Sequence, residues 1–179
     1  MSTPKTPWLA LALLLAAAGA AAQQPLKPSE VTEAGIAEAL APAEAAASGP
    51  RSRGFAPGMR PQAAKAPSAA VLITFVTGSS ELTQESRAAL DKVARALASG
   101  KLTPLSFRVE GHADPRGAEG LNLELSKARA ESVVSYLVKE HGIDRQRLQP
   151  VGKGASEPLN RGQPDAPENR RVTFVTLTN

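Results

Sequence analysis

The stretch SFRVEGHADPRGAEGLNLELSKARAESVVSYLVKEHG (residues 106–142) joins a strand pattern to a helix pattern through a polar turn. SFRVEGH alternates apolar and polar side chains, which predicts a strand. Residues 122–140 predict a helix, with Asn122 as its cap and His141-Gly142 as its end. Because α/β folds collect ligands where strands end and helices begin, the turn at residues 114–117 is the first candidate site.

Patterns on both sides of this stretch complete an α/β domain. Four further segments have the hydrophobic period of regular elements: a strand at 71–76, a helix at 83–100, a strand at 147–152 and a strand at 171–177. Thr83 is the expected helix cap, and Pro150 places its strand at an edge or bulge. The order β-α-β-α-β-β predicts a mixed sheet with helices packed on one face, an α+β sandwich. Three aromatic residues are expected in the core: Phe75, Phe107 and Phe174.

Residues 1–22 have the pattern of a signal peptide. Lys5 supplies the positive start, an apolar run covers residues 8–18, and small alanines precede Gln23. The apolar run is shorter than the roughly 20 residues that span a bilayer, so cleavage after Ala22 is favoured over an uncleaved anchor. We therefore expect an exported chain with no transmembrane segment after processing.

Residues 23–68 are predicted to be a flexible Pro/Ala-rich linker. Seven of the 15 prolines lie there, among few large apolar residues. One short helix is expected within Ser29–Ala41, with Ser29 as cap and Ile36 and Leu40 on one face, and we interpret it as transient.

The basic stretch RSRGFAPGMR (residues 51–60) lies in the same linker and could dock a partner. Residues 29–60 are therefore a candidate binding segment for an envelope protein. The folded domain is expected at residues 69–179.

The composition narrows the classes of function. The chain has no cysteine, which rules out a disulfide framework, a thiolate metal site and a lipid-modified N-terminal cysteine. The net charge is +4, but the basic residues alternate with acidic ones and only 3% of residues are aromatic. A nucleic-acid binder would need a concentrated basic face or stacking aromatics. A mildly basic exported chain instead favours anionic polymers of the cell envelope.

Opposite charges are expected to meet at the end of the second strand. On the helix, Asn122, Ser126 and Arg129 fall within about 60° of one another. If the turn folds over this face, Asp114 and Arg129 can bind the ammonium and carboxylate of an amino-acid-like group. The spacing alone is equally compatible with Asp114 and Arg129 pairing with each other, or with capping of the helix.

Four ordered blocks, EGHADPRG, LNLELSKARAESVVSYL, VGKGASEP and NRRVTF, resemble the C-terminal domain of the OmpA family. The resemblance covers about residues 71–179. Ala113, where many members have threonine, is similar to the peptidoglycan-associated lipoprotein branch, although the lipidated cysteine of that branch is absent.

The resemblance implies a noncatalytic module that binds peptidoglycan through the diaminopimelate of the stem peptide, without cofactor or metal. Asp114 and Arg129 correspond to the ligand-binding pair, and Asn122 and Ser126 to residues that line or brace the site. Further support is expected from five neighbours: His112, Ala113, Gly117, Arg170 and Arg171. The implied location is the periplasm, at the cell wall or outer membrane, where a homodimer would add avidity.

Other readings of the same residues have less support. His112 and Asp114 lack a third metal ligand nearby, and Ser79 and Ser80 lack the elbow motif of a hydrolase. The alternative of a different class is a periplasmic scaffold protein. In that case the domain no longer binds the wall, and residues 29–60 dock an envelope complex.

Overall fold

The computed structural model describes residues 24–42, 66–76 and 79–177. The predicted signal peptide, its cleavage site and the basic stretch at 51–60 lie outside these ranges. Among the described residues, no helix combines the length and apolar character that a bilayer span requires.

The sheet has four strands and is mixed, as predicted. They are β1 (Ser68–Val71), β2 (Ser106–His112), β3 (Leu148–Gly154) and β4 (Val172–Leu177). Their order is β1-β4-β2-β3; β2 and β3 run parallel, whereas β4 is antiparallel to both of its neighbours. β3 is an edge strand, which agrees with the expectation from Pro150.

The helices are α1 (Glu33–Leu40), α2 (Gln84–Ala98) and α3 (Glu119–His141). α1 packs on β1, α3 packs on β2 and β3, and α2 contacts both other helices, so the three form one layer over the sheet. Between the layers lie fully buried side chains, including Phe107 and Phe174. The predicted α/β architecture with helices on one face is confirmed.

One helix keeps its predicted boundaries and the other does not. Thr83 caps α2 as expected, its Oγ1 accepting a 3.3 Å hydrogen bond from the Ser86 N–H, and Gly100, the predicted stop, follows the end of the helix with a positive φ of 45°. α3 begins at Glu119, after Ala118, and has no side-chain cap. Asn122 therefore lies inside the first turn, where its amide is free to hold the preceding loop.

The first strand was predicted too far along the chain. β1 ends at Val71, and the chain then leaves the sheet to run along the start of α2. The Thr74 N–H donates to Ser86 Oγ at 2.8 Å, and Phe75 forms an isolated bridge with Leu82. Hydrogen bonding to the α2 terminus thus replaces pairing within the sheet.

Residues 24–42 pack against the domain, which corrects the interpretation of this segment as a tether with a transient helix. Ile36 and Leu40 do share one face, and both are fully buried in the core. The cap is Thr32 rather than Ser29, since Thr32 Oγ1 accepts from the Gly35 N–H at 3.1 Å. At the far end, Thr176 Oγ1 donates to the Leu40 carbonyl at 2.7 Å.

The residues before α1 extend the sheet region. Leu26 forms a parallel bridge with Val71. Its N–H donates to the Ala70 carbonyl at 2.9 Å, and its carbonyl accepts from the Leu72 N–H at 2.8 Å. The N-terminal segment is therefore held by backbone hydrogen bonds as well as by apolar burial.

Two glycines allow α3 to lie close to the sheet. A Cβ atom at Gly111 would lie 2.1 Å from the Ser126 carbonyl oxygen, and one at Gly152 would lie 2.7 Å from the Leu123 carbonyl oxygen. Any side chain at either position would push the helix outward. The position of α3, and with it Arg129, depends on this close contact.

Candidate functional site

A cavity of about 400 Å³ lies where the segment after β1, helix α3 and the loop before β4 meet. Its lining residues are Leu72, Ile73, Thr74, Phe75, Arg116, Arg129, Pro167 and Arg170. The departure of residues 72–75 from the sheet supplies one wall. Three of the lining residues are arginines, which together form a basic wall, so the cavity is strongly basic.

Asp114 lies directly behind this basic wall and is only 7% exposed. Its Oδ1 accepts from the Arg116 backbone N–H at 3.2 Å and from Arg116 Nε at 3.0 Å. Its Oδ2 accepts from a terminal nitrogen of Arg116 at 2.7 Å and from one of Arg170 at 2.9 Å. The hydrogen bonds from Arg116, with those from Arg170, hold the pKa of Asp114 far below its usual range. Asp114 is therefore a carboxylate at physiological pH.

Arg129 faces the cavity from α3 and is half-buried. Its guanidinium carbon lies 4.9 Å from the centre of the Phe75 ring, and its Nε donates to the Ser79 carbonyl at 3.4 Å. Burial lowers the pKa of Arg129, and the neighbouring charge of Arg170 lowers it further.

Asp114 and Arg129 do not pair with each other. The carboxylate is held by Arg116 and Arg170, and neither Asp114 nor Arg129 caps α3. The two alternatives left open by the spacing are therefore excluded in this structure. The Arg129 guanidinium belongs to the basic wall, and the Asp114 carboxylate lies behind the wall's other two arginines.

The two other predicted ligand residues, Asn122 and Ser126, form hydrogen bonds within the protein. The Asn122 amide donates to the carbonyls of Asp114 at 3.1 Å and Arg116 at 3.0 Å, and so fixes the turn that carries the carboxylate. Ser126 is fully buried; its hydroxyl donates to the Leu123 carbonyl and accepts from the Gly154 N–H at 2.9 Å. Ser126 is not among the residues that line the cavity, and its hydroxyl faces the sheet, so its contacts are those of a residue that braces the site.

Of the predicted supporting residues, Arg170 and Gly117 belong to the site. Arg170 lines the cavity, and Gly117 closes the turn with φ 91°, a conformation that side-chain-bearing residues rarely adopt. Ala113 is buried, and its N–H pairs with the Gly154 carbonyl. Ala113 thus supports the backbone and does not contact the cavity.

His112 and Arg171 do not line the cavity. His112 is 3% exposed, its ring nitrogens have no hydrogen-bond partner among the described residues, and burial together with the charge of Arg171 lowers its pKa to about 3. The imidazole is therefore neutral. Arg171 donates to the Glu157 carbonyl at 3.2 Å. Within the described residues, no three His, Cys, Asp or Glu side chains converge as metal ligands would.

Sequence reasoning missed three contributors to the site: Phe75, Arg116 and Asn169. Phe75 was expected in the core, but it is only partly buried and its ring faces Arg129. Asn169 is 1% exposed, and its amide donates to three loop carbonyls, which orders the loop before Arg170. The Asp-x-Arg spacing of the turn was the available signal for Arg116, since residues two apart in such a turn can contact each other.

The sequence is similar to those of known outer-membrane proteins. A family model described as OmpA family matches residues 74–171. The outer-membrane lipoprotein YfiB of Pseudomonas aeruginosa is 36% identical over 105 residues, which are 58% of this chain and 61% of that protein. Outer membrane protein Omp38 of Acinetobacter baumannii is 36% identical over 108 residues, 59% of this chain but only 30% of that protein.

A solved structure shows the same fold. The peptidoglycan-associated lipoprotein of Burkholderia pseudomallei superposes with a TM-score of 0.50 at 26% identity, over 59% of this chain and 88% of that one. The likeness therefore extends over more than half of this chain and most of that one.

Proposed function

The chain belongs to the OmpA family, and from this premise we propose that it is a noncatalytic envelope protein that binds peptidoglycan. The ligand group is the diaminopimelate of the stem peptide, whose free end carries an ammonium and a carboxylate. The ammonium binds Asp114, and the carboxylate binds Arg129. Asn122 positions the turn, and Arg170 completes the basic wall.

One observation carries the proposal: a half-buried guanidinium lines the cavity, a buried, ionised carboxylate lies directly behind its two other arginines, and the two groups do not neutralise each other. Neither terminal nitrogen of Arg129 has an acceptor among the described residues. A cation of this kind at a cavity is a ready partner for a ligand carboxylate, and a guanidinium can bind it through two parallel hydrogen bonds. The name of the Burkholderia protein points to the same polymer.

Neither histidine is placed as a base beside the cavity. The His112 ring has no hydrogen-bond partner in the described part of the chain, whereas His141 is bound to Asp91 at 2.9 Å, far along α3 from the cavity. A nucleophile and base within hydrogen-bonding reach are the usual signature of covalent catalysis. The charged groups that line the cavity support a binding role.

Binding to one stem peptide is expected to be weak. Two charge-assisted contacts contribute on the order of 1.5–3 kcal/mol each, and association costs several kcal/mol. The wall presents the same group many times, so a second copy of the chain or a tether would raise the overall affinity. Export by residues 1–22 would place the domain in the periplasm, at the wall or outer membrane.

Co-sedimentation with diaminopimelate-type sacculi tests the proposal. The protein should comprise residues 23–179, because residues 24–42 are part of the packed domain. Asp114→Ala should remain in the supernatant while the wild type pellets. Glu124→Ala is the matched control, since it removes an exposed carboxylate from the same helix that carries Arg129.

The outcomes separate the two hypotheses. Equal pelleting of the wild type and a folded Asp114→Ala variant would show that the protein binds the wall through residues other than Asp114. No pelleting by either would favour the scaffold alternative, in which residues 29–60 bind an envelope protein. The structure weakens that alternative for residues 29–42, because Ile36 and Leu40 already pack inside the domain.

A further inference from the structure

The carboxylate of Asp114 has no vacant acceptor position. A carboxylate offers about four lone-pair positions to hydrogen-bond donors. Arg116 donates three hydrogen bonds to Asp114 and Arg170 donates one, two to each oxygen. An ammonium that reaches Asp114 must therefore displace a donor that is already bound.

Arg116 is the donor that can leave. Its side chain is 66% exposed, against 38% for Arg170, and it sits on the same turn as Asp114. Arg170 is held in place by a second contact, to the Asp165 carbonyl at 3.4 Å, and by the ordered loop before it. The Arg116 side chain can rotate away without moving a helix or strand, provided that the ligand ammonium replaces its contact with the buried carboxylate.

The charges at the cavity exceed what one zwitterion can balance. Arg116, Arg129 and Arg170 line it, and among the described residues Asp114 is the one acid that forms an ion pair with any of them. Asp165 also acts electrostatically on Arg116 but forms no ion pair with it. A ligand with one ammonium and one carboxylate would leave at least one guanidinium at the cavity without an anionic partner.

We infer that Arg116 is an exchangeable cation that determines which ligands this site accepts. In the free protein it occupies the ammonium position on Asp114. When the ligand ammonium takes that position, Arg116 turns to a second carboxylate of the ligand. The inference rests on the proposed function and adds the ligand class: one ammonium and two carboxylates, as in a stem peptide that ends at diaminopimelate with its chain-terminal carboxylate free.

Two peptides that differ in one group test this. Both end at diaminopimelate with a free side-chain amino acid group; in one the chain-terminal carboxylate is free and in the other it is amidated. Titration calorimetry should show that the wild type prefers the free acid about five- to tenfold, and that Arg116→Gln prefers it less than twofold. Arg116→Gln should also bind the amidated peptide about two- to fivefold more tightly than the wild type, because the competing donor is gone.

Arg87→Gln is the matched control, since it removes an exposed arginine of α2 that lies away from the cavity. It should keep the wild-type preference. An unchanged preference in Arg116→Gln, or weaker binding of the amidated peptide by that variant, would overturn the inference and leave the proposed function standing. If the wild type and Arg116→Gln bind neither peptide, the inference fails together with the proposed function.

Discussion

Leu40→Ala tests whether the N-terminal segment is part of the domain. Leu40 is 0% exposed and belongs to the main core cluster. Truncation removes about three carbons at roughly 0.8 kcal/mol each and leaves a cavity, and such changes cost about 2–5 kcal/mol. We expect the free energy of unfolding to fall by that amount. In a solvated tether the same substitution would change stability by less than about 0.5 kcal/mol.

Urea unfolding of residues 23–179, followed by far-ultraviolet circular dichroism, gives the measurement. Glu38→Ala is the control, because Glu38 is exposed on the same short helix. It should leave the free energy of unfolding within about 0.5 kcal/mol of the wild-type value. Equal, small effects of Leu40→Ala and Glu38→Ala would refute the reasoning, since they would mean that α1 does not contribute to the core in solution.

Two further predictions concern α3 and the buried histidine. Gly111→Ala places a Cβ 2.1 Å from the Ser126 carbonyl oxygen, so that oxygen must move by about 1 Å or more. The free energy of unfolding should therefore fall by about 1–3 kcal/mol or more, and peptide binding should weaken. Gly120→Ala meets no atom within 4 Å and should instead stabilise α3 by about 0.5–1 kcal/mol; the opposite order in urea unfolding would contradict the packing argument. The pKa of His112 is about 3 in the folded state, so below pH 6.5 the imidazole takes up a proton only in the unfolded chain. The free energy of unfolding should therefore drop by up to about 1.4 kcal/mol per pH unit as the pH falls toward 3. His112→Phe should flatten that slope between pH 6.5 and 4, and an unchanged slope would assign the proton uptake to another group.

The centre of the domain was predictable because local pattern and final environment agree there. β2 occupies the predicted residues, Arg129 lines the cavity, and Asp114 is bonded to two other arginines of its lining. Ser126 shows the limit of helical spacing. It lies within about 60° of Arg129 around the helix axis, but the boundary between the sheet side and the cavity side passes through that arc.

The N-terminal segment could not be assigned from composition. Its prolines and alanines are typical of a linker, and only a few apolar side chains of α1 become buried. No local sequence pattern predicts the bridge between Leu26 and Val71, because that contact joins residues far apart in the chain. The strand predicted at residues 71–76 was misplaced for a related reason. Its β-branched residues suit a strand, but hydrogen bonds to the start of α2 determine the direction of the backbone.

The short segment that follows β1 has a mechanical consequence. On one side, the Leu72 N–H is bonded to the Leu26 carbonyl; on the other, residues 72–75 form a wall of the cavity. Tension applied at residue 24 would therefore be transmitted to that wall through a pair of backbone hydrogen bonds before it reaches the buried core. A force on the N-terminal side of the chain would act on the same residues that form the cavity wall, so that pulling on the chain would deform the cavity.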